Sequence, residues 1–320
     1  MGIGVLALVR LTPDRLAQLT AAGYAVGEAA QYASRMESIR DGADTVRAVL
    51  TNGRGGLSGA EMALLPKLEI VCTTGAGHEA VDLAAARARG IAVSHCPGTN
   101  APAVADSAMM LLLATARHLL PAERFVRAGG WQDQWRVDTP TVCGKRLGIL
   151  GLGNIGTRIA LRAARGFDMA VGYHNRNAVA ASPYRQFDRL TELAAWADFL
   201  IVAAPGGAGT RHLVDAEVLA ALGPKGYLVN VGRGTIVDTP ALIDALRSKR
   251  IAGAGLDVLE GEPATPTHLP ELLQLDNVVI TPHCAGRAPE SRAAATALLL
   301  DNLNAHFSGK PLPSPVSLDR

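Results

Sequence analysis

Short runs of β-branched and other apolar residues alternate along the chain with longer stretches rich in Ala and Leu, separated by turn residues. The short runs are typical of buried strands and the longer stretches of helices, so the alternation predicts an α/β fold with parallel sheets. A first series of strands is expected at residues 6–9, 48–50, 69–72 and 92–94. A second series is expected at residues 147–150, 169–173, 199–202, 228–231, 253–256 and 278–280.

Two long apolar stretches mark the organisation of the chain. Residues 101–120 and 290–307 each predict one long helix, and turn-rich segments precede them at 97–98 and 286–289. A length of 320 residues corresponds to two domains at roughly 150 residues each. The six strands of the second series are the number that a complete dinucleotide-binding fold requires.

Composition narrows the class of protein. The 31 basic and 29 acidic residues leave a net charge of +2, which argues against nucleic acid as a partner. The chain has no apolar run of 18 residues that would predict a membrane span, and the first apolar run lacks the flanks of a signal peptide. The four cysteines have neither CxxC nor metal-ligand spacing, so we expect buried thiols, no metal site and a cytoplasmic protein.

A glycine-rich motif follows the first strand of the second series. Gly151, Gly153 and Gly156 form GxGxxG between an apolar run and a helical stretch, which is the context that a dinucleotide-binding loop requires. The first glycine allows a tight turn, the second a close approach of the pyrophosphate, and the third close packing of helix and strand. The alternative is a glycine turn that binds nothing.

The end of the next strand bears on the choice of cofactor. An NAD-binding protein commonly has an acidic residue there for the ribose 2′-hydroxyl, but this chain has His174, Asn175 and Arg176. An arginine can pair with a 2′-phosphate, so NADP(H) is favoured, with NAD(H) as the alternative. A solvent-exposed arginine without a ligand is the other interpretation.

Chemically active residues follow three late strands, in the segments NVGRG (230–234), DVLEGEP (257–263) and TPHCAG (281–286). The carboxyl edge of a parallel sheet is where ligands bind in such folds. Arg233 therefore supplies a cation for a carboxylate and carbonyl, His283 a proton donor, and Glu262 a carboxylate to orient that donor. These are the components needed to reduce a 2-oxo acid.

With the glycine loop, these segments resemble the D-isomer-specific 2-hydroxyacid dehydrogenase family over nearly the whole chain. Within that family, the chain is most similar to NADPH-dependent glyoxylate/hydroxypyruvate reductases. The resemblance implies that Arg233 binds the substrate carboxylate and keto oxygen, and that His283 is the general acid and base. It implies that Glu262, rather than Glu260, hydrogen-bonds His283 and favours its protonated form.

The resemblance also implies the remaining ligand contacts. Substrate would be bound by the loop Gly75, Ala76 and Gly77 and by Asn100, together with Arg233 and His283. Besides the three glycines of the loop, Arg233 and His283, the residues implied to bind the cofactor are Asn154, Ile155, Asn175, Arg176, Ala204, Pro205, Val231, Gly232, Asp257 and Ala285.

The fold implied is α/β, with two Rossmann-like doubly wound parallel-sheet domains and a cleft between them. Residues 1–98 with 288–320 would form a discontinuous flavodoxin-like substrate domain, and residues 99–287 the dinucleotide-binding Rossmann domain. A homodimer is expected, with Trp131 and Trp135 in its interface. One of these rings could cap the neighbouring active site, although packing without substrate contact is the favoured interpretation.

The reaction expected is hydride transfer from NADPH to C2 of glyoxylate, hydroxypyruvate or a similar small 2-oxo acid, giving the D-2-hydroxy acid or, from glyoxylate, glycolate. The alternative is a dinucleotide-sensing protein that resembles the transcriptional corepressors of the family. A formate dehydrogenase, which would oxidise formate without proton transfer from His283, is disfavoured because its motif has a Gln in the region where this chain has Glu262.

Overall fold

A computed structural model describes residues 2–133, 135–262, 265 and 269–318. Twelve strands are formed in the described chain: β1 Ile3–Ala7, β2 Tyr24–Glu28, β3 Val46–Thr51, β4 Ile70–Thr73, β5 Ala92–Ser94, β6 Arg146–Leu150, β7 Ala170–His174, β8 Arg185–Gln186, β9 Phe199–Val202, β10 Tyr227–Asn230, β11 Gly253–Leu256 and β12 Val278–Ile280. Its α-helices are α1 Pro13–Ala21, α2 Arg35–Asp41, α3 Gly59–Ala63, α4 Leu83–Ala88, α5 Ala101–Ala116, α6 Leu119–Arg127, α7 Asn154–Gly166, α8 Leu190–Trp196, α9 Ala216–Leu222, α10 Thr239–Arg247, α11 Pro270–Leu273 and α12 Pro289–Phe307.

The chain divides into two units, one made of Met1–Asn100 with Ala288–Arg320 and the other of Ala101–Arg287. Unit 1 contains a parallel five-stranded sheet in the order β2-β1-β3-β4-β5. Strand β2 was not predicted from the sequence. Because it lies at the sheet edge and buries only Tyr24 fully, its apolar pattern is weak.

Unit 2 contains a parallel seven-stranded sheet in the order β12-β11-β10-β9-β6-β7-β8. Each of the six predicted strands of the second series is present within a residue of its expected limits, and the two-residue β8 adds an edge. The predicted α/β fold with parallel sheets is therefore confirmed. Strand order reverses between β6 and β9, which is the place where such sheets bind ligands at their carboxyl edge.

Helix α5 packs against the centre of this sheet. Leu111 and Leu112 are fully buried, and a Cβ at Gly255 in β11 would lie 3.0 Å from the Leu111 Cβ. The glycines of β11 thus let the helix approach the strand closely.

The single helix predicted over residues 101–120 is wrong, because α5 ends at Ala116 and α6 begins at Leu119. His118 between them has a left-handed φ of 49°, a conformation that cannot continue an α-helix. Within the described residues, no single helix is long and apolar enough to span a membrane, although α5 and α6 together, bent by 62°, meet the length and composition.

The cysteines differ in burial. Cys72 and Cys96 are buried, as expected, but Cys143 is exposed and Cys284 is only partly buried. The expectation of four buried thiols is therefore wrong for Cys143 and Cys284. Among the described residues, no group of three or more His, Cys, Asp and Glu side chains could hold a metal ion.

Candidate active site

The glycine loop joins β6 to α7 in unit 2. Gly151 has a φ of 100°, and a Cβ there would lie 2.7 Å from the Ala204 nitrogen. A Cβ at Gly156 would lie 2.0 Å from the Gly151 carbonyl oxygen, whereas a Cβ at Gly153 would meet nothing within 4 Å. Gly153 is the N-cap of α7 and supplies no side-chain cap to the first turn. The loop therefore presents open helix N–H groups, which fit the pyrophosphate of a dinucleotide.

The end of β7 lies beside this loop. The Gly151 N–H donates to the His174 carbonyl at 3.0 Å, and the Leu152 N–H donates to Asn175 Oδ1 at 2.7 Å. Arg176 follows with an exposed side chain. The structure thus brings the residues expected to bind the pyrophosphate next to the residues expected to bind the ribose.

Other residues predicted to bind the cofactor surround the same loop. Ala204 is buried against Gly151, and the next residue, Pro205, is exposed. Val231 and Gly232 are buried at the end of β10, and Asn154 is exposed in the first turn of α7 with Ile155 partly buried behind it.

Arg233 lies in the turn after β10. The buried side chain of Asn230 holds this turn, because its Oδ1 accepts from the Gly232 N–H at 3.0 Å and its Nδ2 donates to the Arg233 carbonyl at 3.0 Å. The Arg233 guanidinium donates to the Gly232 carbonyl at 2.9 Å, and its stem covers Gly206, where a Cβ would lie 2.8 Å from the Arg233 Cγ. Asn230 was not singled out from the sequence, although a polar residue that ends an apolar strand is a usable signal.

His283 and Glu262 meet after β12 and β11. His283 Nδ1 lies 2.8 Å from Glu262 Oε2, and Glu262 Oε1 accepts from the Leu259 N–H at 3.0 Å. The carboxylate is 17% exposed and the imidazole 33% exposed. With Nδ1–H donating to the carboxylate, Nε2 is the nitrogen that can give and take a proton.

Asp257 organises the segment that carries His283. Its carboxylate, 2% exposed, accepts from the Thr281 hydroxyl at 2.6 Å and from the N–H groups of Cys284 and Ala285 at 2.9 and 3.0 Å. The His283 N–H donates to the Asp257 carbonyl at 2.8 Å. A carboxylate has about four lone-pair sites, so these three bonds leave about one site for the cofactor contact that the resemblance implies for Asp257.

The predicted substrate loop belongs to unit 1. The Gly75 carbonyl accepts from the Thr73 hydroxyl at 3.0 Å and the Cys96 N–H at 2.8 Å, and the Ala76 carbonyl lies 2.9 Å from His95 Nδ1. Gly77 directly follows this bend, and Asn100 is the last residue of the first segment of this unit. The carbonyl groups of the loop are thus held by the protein.

The tryptophans predicted for a dimer interface have different environments. Trp131 is 74% exposed, whereas Trp135 is 38% exposed and packs edge-on against Phe125 with ring centroids 5.4 Å apart. The interface itself stays a prediction.

This chain is similar to known proteins along most of its length. The family model for the D-isomer specific 2-hydroxyacid dehydrogenase NAD binding domain matches residues 109–285. A hydroxyphenylpyruvate reductase of Plectranthus scutellarioides is 41% identical over 274 residues, which are 86% of each chain. A glyoxylate/hydroxypyruvate reductase of Arabidopsis thaliana is 41% identical over 273 residues, covering 85% of this chain and 86% of the relative.

Among solved structures, this chain is similar to an NADPH-dependent glyoxylate/hydroxypyruvate reductase from Sinorhizobium meliloti in complex with NADP and malonate. The TM-score is 0.88 at 37% identity, covering 99% of this chain and 98% of that one. The matched family region contains the glycine loop together with Arg233, Glu262 and His283. This chain belongs to the D-isomer specific 2-hydroxyacid dehydrogenase family.

Proposed function

We propose that this protein is an NADPH-dependent reductase that converts glyoxylate to glycolate, or hydroxypyruvate or a similar small 2-oxo acid to the D-2-hydroxy acid. The observation that carries the proposal is the 2.8 Å contact between His283 Nδ1 and Glu262. It leaves Nε2 of a histidine at the carboxyl edge of the sheet as a proton donor. Arg233 stands at the end of β10, two strands away in the same sheet.

Each residue has a part in the chemistry. A bound NADPH would supply the hydride that reaches C2 of the substrate. The Arg233 guanidinium holds the substrate carboxylate and the keto oxygen, where negative charge develops. His283 gives its Nε2 proton to that oxygen, which yields a hydroxyl group and a neutral imidazole. Glu262 stabilises the imidazolium before transfer, and water restores the proton afterwards.

The cofactor preference rests on the end of β7. Arg176 is exposed beside a glycine loop whose Leu152 N–H is bonded to Asn175, and no acidic residue stands among residues 174–176. An arginine here pairs with a 2′-phosphate through two or more N–H groups. The similar S. meliloti reductase, whose structure contains NADP, supports this preference for NADP(H) over NAD(H).

The proposed substrate class rests on the relatives to which this chain is similar. The two curated relatives of equal identity are named for different acids, one aromatic and one small. We favour the small acids because the similarity to reductases of glyoxylate and hydroxypyruvate extends to several relatives.

We also propose a homodimer. Large apolar side chains are exposed along one stretch of the chain, namely Leu119, Leu120, Val126, Trp131, Trp135 and Val137. Such a concentration of exposed apolar surface is typical of protein interfaces. Light scattering should give twice the chain mass of 33.3 kDa, and the monomer mass would contradict the proposal.

The proposed function is tested by initial rates of NADPH and NADH oxidation with glyoxylate, hydroxypyruvate, pyruvate, phenylpyruvate and a keto-gluconate. We expect the highest kcat/KM with NADPH and one of the first two acids. Faster turnover of phenylpyruvate would contradict the substrate class but not the chemistry. If no acid is reduced although NADPH binds, the catalytic proposal fails and a dinucleotide-sensing role replaces it.

A further inference from the structure

A second histidine–glutamate pair lies close to the catalytic one. His212 Nε2 is 3.1 and 3.2 Å from the two carboxylate oxygens of Glu260. The Arg211 guanidinium lies 2.9 Å from the same carboxylate, and the Thr239 hydroxyl donates to it at 3.3 Å. Glu260 was set aside from the sequence because only Glu262 matches the catalytic position.

The backbone of His212 is tied to the segment that follows Arg233. The His212 N–H donates to the Thr235 carbonyl at 2.9 Å, and its φ of 52° is left-handed. On the other side of the ring, Nδ1 lies 3.8 Å from Asp238 Oδ2, and Asp238 caps α10 through the Ala241 N–H. His212 is therefore held between Glu260 and Asp238 by elements that are themselves fixed.

The turn that carries Glu260 also carries Glu262. Its first residue, Leu259, donates its N–H to Glu262 Oε1. Leu259 lies directly against the residue after Arg233, since a Cβ at Gly234 would be 1.9 Å from the Leu259 carbonyl carbon. Any movement of Glu260 thus moves a short turn whose other polar end, Glu262 Oε2, holds His283.

His212 and Glu260 are partly buried and have charged neighbours. Glu260 is 23% exposed and His212 32% exposed. His212 faces the carboxylates of Glu260 and Asp238, and Glu260 faces His212 and the Arg211 guanidinium. Partly buried pairs of this kind keep their geometry better than exposed ion pairs do.

We propose that His212 and Glu260 form a positioning pair, which clamps the 259–262 turn so that Glu262 stays aligned on His283 Nδ1. Neither residue touches the reacting atoms, and the inference rests on the proposed function only for its kinetic consequences. Without the clamp, the turn is free to tilt, and the carboxylate stabilises the imidazolium less well. Reduction then becomes slower and fails at a lower pH.

The test compares His212→Ala with His212→Gln and with a control, His306→Ala. A Gln amide can still donate to Glu260, so it should restore part of the clamp. His306 pairs with Glu69 at 3.5 Å in unit 1 and serves as the matched control. For each protein we would measure kcat against pH, the Kd for NADPH, the thermal midpoint, and the pH at which His283 is half protonated in ligand-free protein by histidine ¹⁵N NMR.

We expect His212→Ala to lower kcat about tenfold, as misplacement of a catalytic group does. The half-protonation pH of His283 should fall, because its pairing with the Glu262 carboxylate is weaker. The Kd for NADPH should not change. His212→Gln should lie between this variant and the wild type, and His306→Ala should match the wild type.

The proposal is overturned if His212→Ala leaves both kcat and the half-protonation pH of His283 unchanged, or if His306→Ala shifts them equally. Should His212→Ala fail to fold, Glu260→Gln provides the same comparison with smaller loss of packing. The NMR measurement needs no substrate. If the wild type reduces no 2-oxo acid, the proposed function fails while the clamp is still tested.

Discussion

His283 shows how the fold constrains one residue for chemistry. Its φ of 49° is unfavourable for a residue other than glycine, at a cost of about 1–3 kcal/mol. The conformation is held because its N–H donates to both the Asp257 and Thr281 carbonyl groups, and Glu262 fixes its ring. Strain compensated by several local bonds is typical of a residue whose orientation matters for function.

The charge of Glu262 should set the alkaline limit of reduction. Glu262→Gln keeps an acceptor for Nδ1–H but removes the negative charge that stabilises protonated His283. Because reduction needs the protonated ring, activity should be lost at a lower pH than in the wild type. The measurement is kcat for glyoxylate reduction from pH 5 to 10. Glu271→Gln, which removes an exposed partner of Arg247, is the control, and coincident profiles would show that Glu262 does not act through His283.

Arg176 should decide between the two cofactors. Arg176→Asp removes a partner of the 2′-phosphate and provides an acceptor for a ribose hydroxyl. The ratio of kcat/KM for NADPH to that for NADH should fall at least about tenfold, the value of one charge-assisted hydrogen bond. Arg189→Asp changes the charge equally at an exposed position. An Arg176 variant with the same ratio as this control would place the 2′-phosphate elsewhere.

At this scale the sequence identified the charged residues and the pairing of Glu262 with His283, but not the other bonds that hold them. Arg233, Glu262 and His283 stand in recognisable segments. Asn230 and the carboxylate bonds of Asp257 depend on which backbone groups the turns bring near, and no spacing in the sequence shows this. The partner of Glu260 is His212, 48 residues away in the chain, so their pairing required the structure.

At the scale of elements, polar residues follow β10, β11 and β12 at one edge of a sheet whose strands are otherwise apolar. The central strands of unit 2, which are buried on both faces, give strong apolar patterns and were predicted within a residue, whereas β1 and β3 of unit 1 begin three and two residues before their predicted starts. The edge strand β2 and the break at His118 were missed. Burial on one side and a single left-handed residue leave little trace in an apolar pattern.

Two glycines of the loop separate a role in packing of α7 from a role in cofactor binding. In Gly156→Ala the new Cβ would meet the Gly151 carbonyl at 2.0 Å, so the variant should lose about 1–3 kcal/mol of unfolding free energy. Gly153→Ala meets no protein atom and should keep its stability while NADPH binding weakens about tenfold. Denaturant unfolding and cofactor titration of both variants measure the two effects. Equal stability of the variants would contradict the packing described for α7.

At the scale of the whole molecule, cysteine reactivity reports burial in each unit. Burial raises the pKa of Cys72 to about 12 and that of Cys96 to about 11. Both thiols stay protonated at pH 8, and a protonated thiol is a poor nucleophile. Cys143 is exposed and Cys284 partly buried.

Iodoacetamide at pH 8 should therefore modify Cys143 and Cys284 in the native protein, and all four cysteines after unfolding. Peptide mass spectrometry locates the modified residues. Rapid native modification of Cys72 would mean that the sheet of unit 1 is less closed than described.

The central claim is that His283 gives the proton in reduction of a 2-oxo acid. The most direct measurement is kcat for NADPH-dependent glyoxylate reduction by His283→Ala, with the Kd for NADPH measured on the same protein. The account predicts a kcat at least about 100-fold lower than that of the wild type, as loss of a general acid produces, with little change in cofactor binding. A kcat close to the wild-type value, with NADPH bound normally, would contradict it.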